Sequence, residues 1–173
     1  MKFKLRPYQE EASKKAVEFF LDEKKNWNAL EVLPTASGKS LILADIAARL
    51  KDKVLVFSPT KEILEQNYKK YCSYGFDNAS IYSASFKSKE ISDVTFATIG
   101  SVKGHPELFT DFKYILIDEV HLVKPESGMY KEFLDKLKSK VIGLTATPFR
   151  LYSYQNYGSI LKFLTRSRDK IFK

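Results

Sequence analysis

The chain has 173 residues, 44% of them hydrophobic and 29% charged, a composition typical of one globular domain and not of a disordered polypeptide. No apolar run approaches the roughly 18–20 residues that cross a bilayer, MKFKLRPYQE lacks a signal-peptide core, and the single Cys72 excludes an internal disulfide. The net charge of +8 and the isoelectric point near 9.4 favour a polyanionic partner.

The positive charge is concentrated near the C-terminus. From Pro148 to Lys173 there are six Lys and Arg residues and one acid, Asp169, so the last 26 residues carry +5 of the total +8. Two interpretations stay open, a solvated tail and a segment that contacts the polyanion. The lone cysteine fits a reducing compartment, so we expect a cytoplasmic protein.

The first predicted element is an amphipathic helix from about Tyr8 to Asp22, with Ala12, Ala16 and Phe19 or Phe20 on one face. Apolar runs of β type follow, each ending in turn residues: ALEVLP, KVLVFSP, VTFATI, YILID and VIGLTAT. Helix-like stretches lie between several of them: KSLILADIAARL, KEILEQNYKKY and KEFLDKLKS. Continuous apolar strands alternating with helices predict an α/β fold with a mostly parallel sheet covered on both faces.

Polar residues follow four of the predicted strands at the point where each strand ends. In a parallel α/β sheet, ligands bind outside these carboxyl ends, so we expect the four groups to line one crevice. The groups are Lys39 with Ser40, Pro59 with Thr60, Asp118 with Glu119, and Thr145 with Thr147.

The first of these groups belongs to PTASGKS, which keeps the Gly-Lys-Ser of the phosphate loop G-x-x-x-x-G-K-[ST] and departs from it at Leu33. Gly38 allows the backbone to approach an anion, and amides at a helix N-terminus would receive phosphate oxygens. Lys39 would reach the β- and γ-phosphates, and the Ser40 hydroxyl would bind Mg²⁺. The predicted loop contacts are Thr35, Ala36, Ser37, Gly38, Lys39 and Ser40.

The second group is in YILIDEVH, where an apolar strand delivers two adjacent carboxylates to its end. Asp118 would hold Mg²⁺, as in the Walker B arrangement, and Glu119 would orient and deprotonate the attacking water. The alternative is a pair of surface acids after a strand. A structural role for His121 also stays open on physical grounds alone.

The chain closely resembles superfamily 2 helicases and translocases, because D-E-x-H follows this phosphate loop and GLTATP follows both. More narrowly, the chain resembles the DEAD/DEAH-like motors of bacterial and phage DNA repair and restriction systems, from about Leu5 to Arg150. The resemblance implies a RecA-like lobe that uses ATP and Mg²⁺ and acts on nucleic acid, with DNA favoured over RNA. It also implies a cytoplasmic protein of a bacterial or phage-infected cell.

The resemblance extends to four further segments. LRPYQ is similar to an adenine-reading segment, FSPTKEILEQ to motif Ia, FATIGSV to a later strand-contacting motif, and TAT to motif III, which links nucleotide state to strand binding. For Thr98 and Ser101 a local turn-capping role is an equal alternative. The implied residues are Gln9 and Arg6 for adenine, Pro59, Thr60, Lys61, Thr98 and Ser101 for nucleic acid, and His121, Thr145 and Thr147 for coupling.

The family works with two RecA-like lobes, and the second supplies arginines for phosphoryl transfer. We therefore expect residues 1–150 to form the first lobe and residues 151–173 to be a basic segment that leads toward a second lobe of a longer protein. Within the enzymes, a restriction-type translocase subunit is an open alternative. A nucleic-acid-binding module without catalysis is another, although the intact Lys39, Ser40, Asp118 and Glu119 argue against it. A small-molecule kinase fits the basic charge and the D-E-V-H segment poorly.

Overall fold

A computed structural model of the chain describes residues 4–26, 28–122, 128–147 and 171–172. Five α-helices are described: α1 Pro7–Leu21, α2 Lys39–Leu50, α3 Lys61–Cys72, α4 Ile99–Val102 and α5 Met129–Asp135. Eight strands are described: β1 Ala29–Val32, β2 Val54–Phe57, β3 Ala79–Ser83, β4 Ser88–Lys89, β5 Val94–Ala97, β6 Tyr114–Asp118, β7 Lys140–Thr145 and β8 Ile171–Phe172. Short 3-10 turns cover Ala84–Phe86, Pro106–Phe109 and Val120–Leu122.

The described strands form one sheet in the order β4-β3-β5-β2-β6-β7-β1-β8. The neighbours from β3 to β8 in this order are parallel, and only the β3–β4 pair of the described strands is antiparallel. This confirms the predicted α/β fold with a mostly parallel sheet. The predicted first helix is α1. Apart from Ile171 and Phe172, the predicted basic segment 151–173 lies outside the described residues.

Two apolar layers cover the faces of the sheet. One packs α1, α2 and α3 against side chains such as Val54, Val56 and Phe96. The other packs α4 and α5 against the alternate side chains, including Leu55 and Phe57. Because both faces are covered, all residues of β2 and β5 are buried, which explains the continuous apolar runs in the sequence.

Polar contacts fix α1 on this scaffold. At its C-terminal end, Lys140 Nζ donates to the carbonyl oxygens of Phe19 at 2.8 Å and Asp22 at 2.9 Å, which satisfies carbonyl groups that a helix end leaves unpaired. Along its length, the Ser13 hydroxyl donates to Asp45 of α2. These contacts hold the C-terminal end of α1 on β7 and its middle on α2.

The strands β2, β6, β7 and β1 are consecutive neighbours in the sheet. Since all four are parallel, their carboxyl ends lie along one edge, as the sequence predicted. Among the described residues, no helix combines the length and the apolar character needed to cross a bilayer.

Candidate nucleotide and nucleic-acid site

The connection from β1 to α2 has the backbone of an anion-binding loop. Ala36 and Gly38 both adopt left-handed conformations, with φ of 61° and 81°, and Gly38 is the N-cap of α2. Pro34, Thr35 and Ala36 are exposed, and Lys39 and Ser40 form the first turn of the helix. Backbone amides at such a helix start attract phosphate oxygens. The Ser37 hydroxyl is buried without a hydrogen-bond partner among the described residues, which leaves a polar group for a ligand.

Side chains of α1 support this loop from one side. Gln9 Nε2 donates to the Ser37 carbonyl oxygen at 2.8 Å, and the Tyr8 hydroxyl donates to the same oxygen at 3.0 Å. Gln9 Oε1 accepts from the Arg6 amide at 2.9 Å. Gln9, which the resemblance assigns to adenine, is therefore also a direct support of the phosphate loop. The Arg6 side chain is exposed next to it.

Two features favour glycine at position 38. Its φ of 81° disfavours any residue with a β-carbon, and a β-carbon there would lie 2.5 Å from Gln9 Nε2. The close contact between Gln9 and the loop thus depends on the missing side chain.

Asp118 ends β6 as a buried carboxylate with 5% of its surface exposed. Its Oδ1 accepts from the backbone amide of Glu119 at 2.9 Å, and its Oδ2 accepts from Asn67 Nδ2 at 3.0 Å. Burial raises the pKa of Asp118, with a contribution from the neighbouring Glu119 charge, whereas the bond from Asn67 and the charge of Lys39 lower it. The two donors and the lysine are therefore what favours the ionised form.

Glu119 connects the phosphate loop to the histidine. Its Oε1 lies 3.4 Å from Lys39 Nζ, and its Oε2 lies 3.2 Å from His121 Nδ1. The residue has a φ of 51°, a left-handed conformation that costs about 1–2 kcal/mol for a residue with a β-carbon. Strained backbone of this kind is concentrated at functional sites. Here it accompanies a side chain that contacts both the cation of the loop and His121.

His121 extends the contacts to the end of β7. Its Nδ1 lies 2.9 Å from Thr145 Oγ1, and Thr145 is fully buried. Thr145 Oγ1 donates to the Thr147 carbonyl oxygen at 3.0 Å and accepts from the Thr147 amide at 3.1 Å. The three residues that the resemblance assigns to coupling are thus one hydrogen-bonded group, joined through His121 to Glu119.

The residues present fit a magnesium nucleotide. Mg²⁺ prefers oxygen ligands and is held in phosphoryl-transfer sites by a carboxylate, a hydroxyl and the phosphates. Asp118 supplies a buried carboxylate, Ser40 supplies a hydroxyl in the first turn of α2, and Lys39 stands beside the acids. The loop backbone supplies the amides for the phosphates.

The predicted nucleic-acid contacts lie along the same edge, over β2, β5 and β3. Thr60 is the exposed N-cap of α3, and its Oγ1 accepts from the Ile63 amide at 3.3 Å. Lys61 is exposed, and its Nζ lies 5.1 Å from the centre of the Phe86 ring. Pro59 precedes them directly. The start of α3 therefore carries an exposed cation beside Thr60, and the contact of these residues with nucleic acid stays a prediction.

Thr98 and Ser101 are engaged with each other and with the end of β3. Their hydroxyl oxygens are 2.9 Å apart, and Ser101 Oγ accepts from the Ala84 amide at 3.0 Å. This is the local capping role considered as an alternative. These bonds leave hydrogen-bonding capacity on both hydroxyl oxygens, and their contact with a nucleic-acid backbone stays a prediction.

Comparisons with known proteins agree with this geometry. The sequence model of the family described as "Type III restriction enzyme, res subunit" matches residues 2–150. The chain belongs to this family.

Among curated proteins, the DNA 3'-5' translocase XPB2 of Sulfurisphaera tokodaii is 32% identical over 152 residues, which cover 86% of this chain and 32% of that protein. Among solved structures, the UvsW helicase from bacteriophage T4 has a TM-score of 0.75 at 23% identity, covering 99% of this chain and 60% of that one. The Sulfolobus solfataricus SWI2/SNF2 ATPase core in complex with dsDNA has a TM-score of 0.71 at 22% identity, covering 95% of this chain and 36% of that one.

These similarities bear out the resemblance stated from the motifs. The fold is that of the N-terminal, RecA-like motor lobe of superfamily 2 helicases. The chain spans about a third of the length of the XPB2 relative.

Sequence reasoning missed two residues that contact the site, Asn67 and Ser58. Asn67 Nδ2 donates to Ser58 Oγ at 3.0 Å as well as to Asp118. A signal was present, since Asn67 lies three residues after Leu64 and four before Tyr71, which are both buried on α3. A polar residue in an apolar helical stripe is expected to have a polar partner in the core.

Proposed function

We propose that this chain is the ATP-binding lobe of a DNA-dependent ATPase, a helicase or translocase that hydrolyses ATP to move along or separate strands. The observation that carries the proposal is the contact of Glu119 with both Lys39 and His121, at 3.4 and 3.2 Å. It joins the phosphate loop, the acidic pair and the end of β7 in one site. If the two acids were only solvent-exposed surface residues, a contact with the loop lysine would not be expected.

ATP would supply the phosphoanhydride bond that is broken, and Mg²⁺ would neutralise charge on its phosphates. Lys39, the loop amides and Ser40 would bind the phosphates and the ion. Asp118, already aimed by two donors, would hold the ion or its water. Gln9 and Arg6 would contact the adenine, with Gln9 transmitting the presence of the base to the loop through Ser37.

Glu119 would accept the proton of the attacking water at Oε1 or Oε2. For this, its ion pair with Lys39 has to loosen, because the lysine turns toward the phosphates when they are bound. The His121 contact then keeps the carboxylate in place. Through Thr145 and Thr147, the same histidine would connect the site to the end of β7, where the resemblance places coupling to strand binding.

DNA is the proposed polymer, contacted through Pro59, Thr60, Lys61, Thr98 and Ser101. Contacts of hydroxyls, amides and a lysine with the backbone carry no base sequence, which suits a motor that moves along any sequence. The choice of DNA is supported by the XPB2 relative, a DNA translocase, and by the SWI2/SNF2 core, which was solved with dsDNA. We further propose a second RecA-like lobe that completes the site with arginines, in keeping with the fraction of the relatives that this chain spans.

The test is steady-state ATP hydrolysis by the full-length protein with single-stranded DNA, duplex DNA, RNA or no nucleic acid. We expect Mg²⁺-dependent turnover that DNA stimulates more than RNA, and loss of turnover in Lys39→Ala. Lys69→Ala, which changes an exposed lysine of α3 paired with Glu65, is the matched control. Equal rates for Lys39→Ala and the unaltered protein would remove the proposal, and stimulation by RNA alone would correct the polymer.

A second candidate is the motor subunit of a restriction-type translocase, favoured by the description of the family that matches residues 2–150. It shares the lobe and the chemistry proposed above. A DNA-cleavage assay with ATP and Mg²⁺ separates the two, because a restriction complex cuts DNA whereas a helicase separates or tracks along it.

A further inference from the structure

Asn67 is a buried amide with 1% of its surface exposed. It lies on the side of α3 that faces the sheet, between Leu64 and Tyr71 in the helical register. Its Oδ1 has no hydrogen-bond partner among the described residues, whereas its Nδ2 has two. Burying an incompletely satisfied amide costs free energy, so an apolar residue would be favoured here if packing alone decided.

The two bonds of Nδ2 go to different parts of the site. One, at 3.0 Å, reaches Oδ2 of Asp118, the carboxylate proposed to hold Mg²⁺. The other, also at 3.0 Å, reaches Oγ of Ser58. With the bond from the Glu119 amide to Oδ1, each carboxylate oxygen of Asp118 has one fixed donor. The plane of the carboxylate is therefore determined by one backbone group and by Asn67.

Ser58 directly precedes Pro59, Thr60 and Lys61, the segment proposed to contact nucleic acid, and α3 begins at Lys61. The Asn67–Ser58 bond therefore links the start of the β2–α3 connection to the body of α3. A displacement of residues 59–61 moves Ser58 or the start of α3, and both are linked to Asn67. The amide thus joins this segment to Asp118 through side-chain hydrogen bonds, in addition to the pairing of β2 with β6.

We propose that Asn67 is a positioning residue that aims Asp118 at Mg²⁺ and makes the metal affinity of the site respond to strand binding at residues 59–61. The inference rests on the proposed function for its metal and its polymer. It assigns no contact between Asn67 and the nucleotide. Only a side chain with two N–H groups at one atom can serve both acceptors in this way.

The experiment measures binding of a non-hydrolysable fluorescent ATP analogue to the full-length protein as a function of Mg²⁺ concentration, with and without DNA. Asn67→Leu keeps the branching at Cγ and removes both donors, and Asn67→Ala removes them without adding volume. Loss of an outer-shell partner costs roughly 10–100-fold in metal affinity. We expect at least about a tenfold rise in half-saturating Mg²⁺ for both variants.

Two further variants separate positioning from stability. Tyr71→Phe removes another hydrogen bond of α3, from the tyrosine hydroxyl to Asn78 Oδ1 at 2.8 Å, with no contact to Asp118, and should leave the Mg²⁺ dependence unchanged. Ser58→Ala keeps the bond to Asp118, so we expect a Mg²⁺ dependence near that of the wild type without DNA and a smaller change on adding DNA. Circular dichroism confirms that each variant is folded.

Half-saturating Mg²⁺ within twofold of the wild type in folded Asn67→Leu or Asn67→Ala would overturn the proposal. A DNA effect on metal affinity that is equal in Ser58→Ala and the wild type would overturn the link to residues 59–61. Failure of the proposed function has a different signature. A wild type that binds the ATP analogue with Mg²⁺ but shows no DNA-stimulated hydrolysis would lose the motor role. The effect of the Asn67 variants on metal affinity would remain.

Discussion

Glu119 Oε1 lies 3.4 Å from Lys39 Nζ, so one carboxylate of the acidic pair neutralises the cation of the phosphate loop. The contact keeps a half-buried lysine and a half-buried glutamate from being left unpaired, which would be costly. A triphosphate bound as proposed would exchange one partner of Lys39 for another. The carboxylate that is released is the one proposed as the base.

Glu119→Gln should separate nucleotide binding from hydrolysis. The amide is isosteric but accepts no proton, so turnover should fall by about 10²–10⁴-fold, the usual range for a general base. Nucleotide affinity should not fall, because Lys39 loses a competing partner. Stopped-flow nucleotide binding and steady-state turnover measure the two effects. Glu65→Gln, which changes a partly buried glutamate of α3 paired with Lys69, is the control, and equal turnover in both variants would contradict the assignment.

Gly38→Ala should weaken nucleotide binding more than its backbone strain explains. Gly38 and Gly75 both have positive φ, of 81° and 91°, but a β-carbon on Gly75 would meet nothing within 4 Å. Gly75→Ala should therefore cost only about the 1–2 kcal/mol of the left-handed conformation. In Gly38→Ala the new β-carbon would in addition lie too close to Gln9 Nε2. Thermal unfolding and nucleotide titration compare the variants, and partial recovery of the unfolding temperature in Gly38→Ala with Gln9→Ala would identify that contact as the cause.

Gly143→Ala should displace the turn that carries His121. A β-carbon at Gly143 of β7 would lie 2.6–2.8 Å from side-chain atoms of Val120, directly after Glu119. Overpacking of this kind costs typically about 1–3 kcal/mol. We expect a lower unfolding temperature and a lower ATPase rate, both partly restored by adding Val120→Ala. Restored stability without restored turnover would show that the geometry of the turn is not what limits hydrolysis.

Lys61→Ala should weaken DNA binding by the same factor for all base sequences. Lys61 is exposed at the start of α3 and would neutralise one phosphate, so the slope of log affinity against log salt should fall by about 1. Fluorescence anisotropy across a salt series measures the slope. Lys69→Ala, two turns farther along the same helix, should leave it unchanged. An equal slope in both variants would place the DNA elsewhere.

Glu31 should make folding stability depend on pH. Its side chain is 1% exposed, both carboxylate oxygens lack partners among the described residues, and burial raises its pKa from 4.5 to about 8. Between these values the folded state binds more protons than the unfolded state, so unfolding free energy should fall as pH rises, by up to about 1.4 kcal/mol per pH unit. Denaturant titration of the chain from pH 5 to 9 should show this slope. The slope should be smaller in Glu31→Gln and unchanged in Glu18→Gln, an exposed control on α1.

The order of apolar runs and helices in the sequence was enough to predict a mostly parallel α/β sheet, because strands buried on both faces must be apolar throughout. The Gly38–Ser40 turn and the Asp118–Glu119 pair could likewise be found from local chemistry. Their place at strand ends predicted that they would meet, since parallel strands align their carboxyl ends.

Which atoms touch was decided only by the tertiary structure. No local pattern shows that Glu119 contacts Lys39, that Gln9 supports the loop at Ser37, or that Asn67 joins Ser58 to Asp118. These pairs are separated by 28 to 80 residues except for Ser58 and Asn67, and their distances depend on strand order and on how α1 and α3 pack on the sheet. Short-range sequence chemistry selects the groups, whereas long-range packing determines their partners.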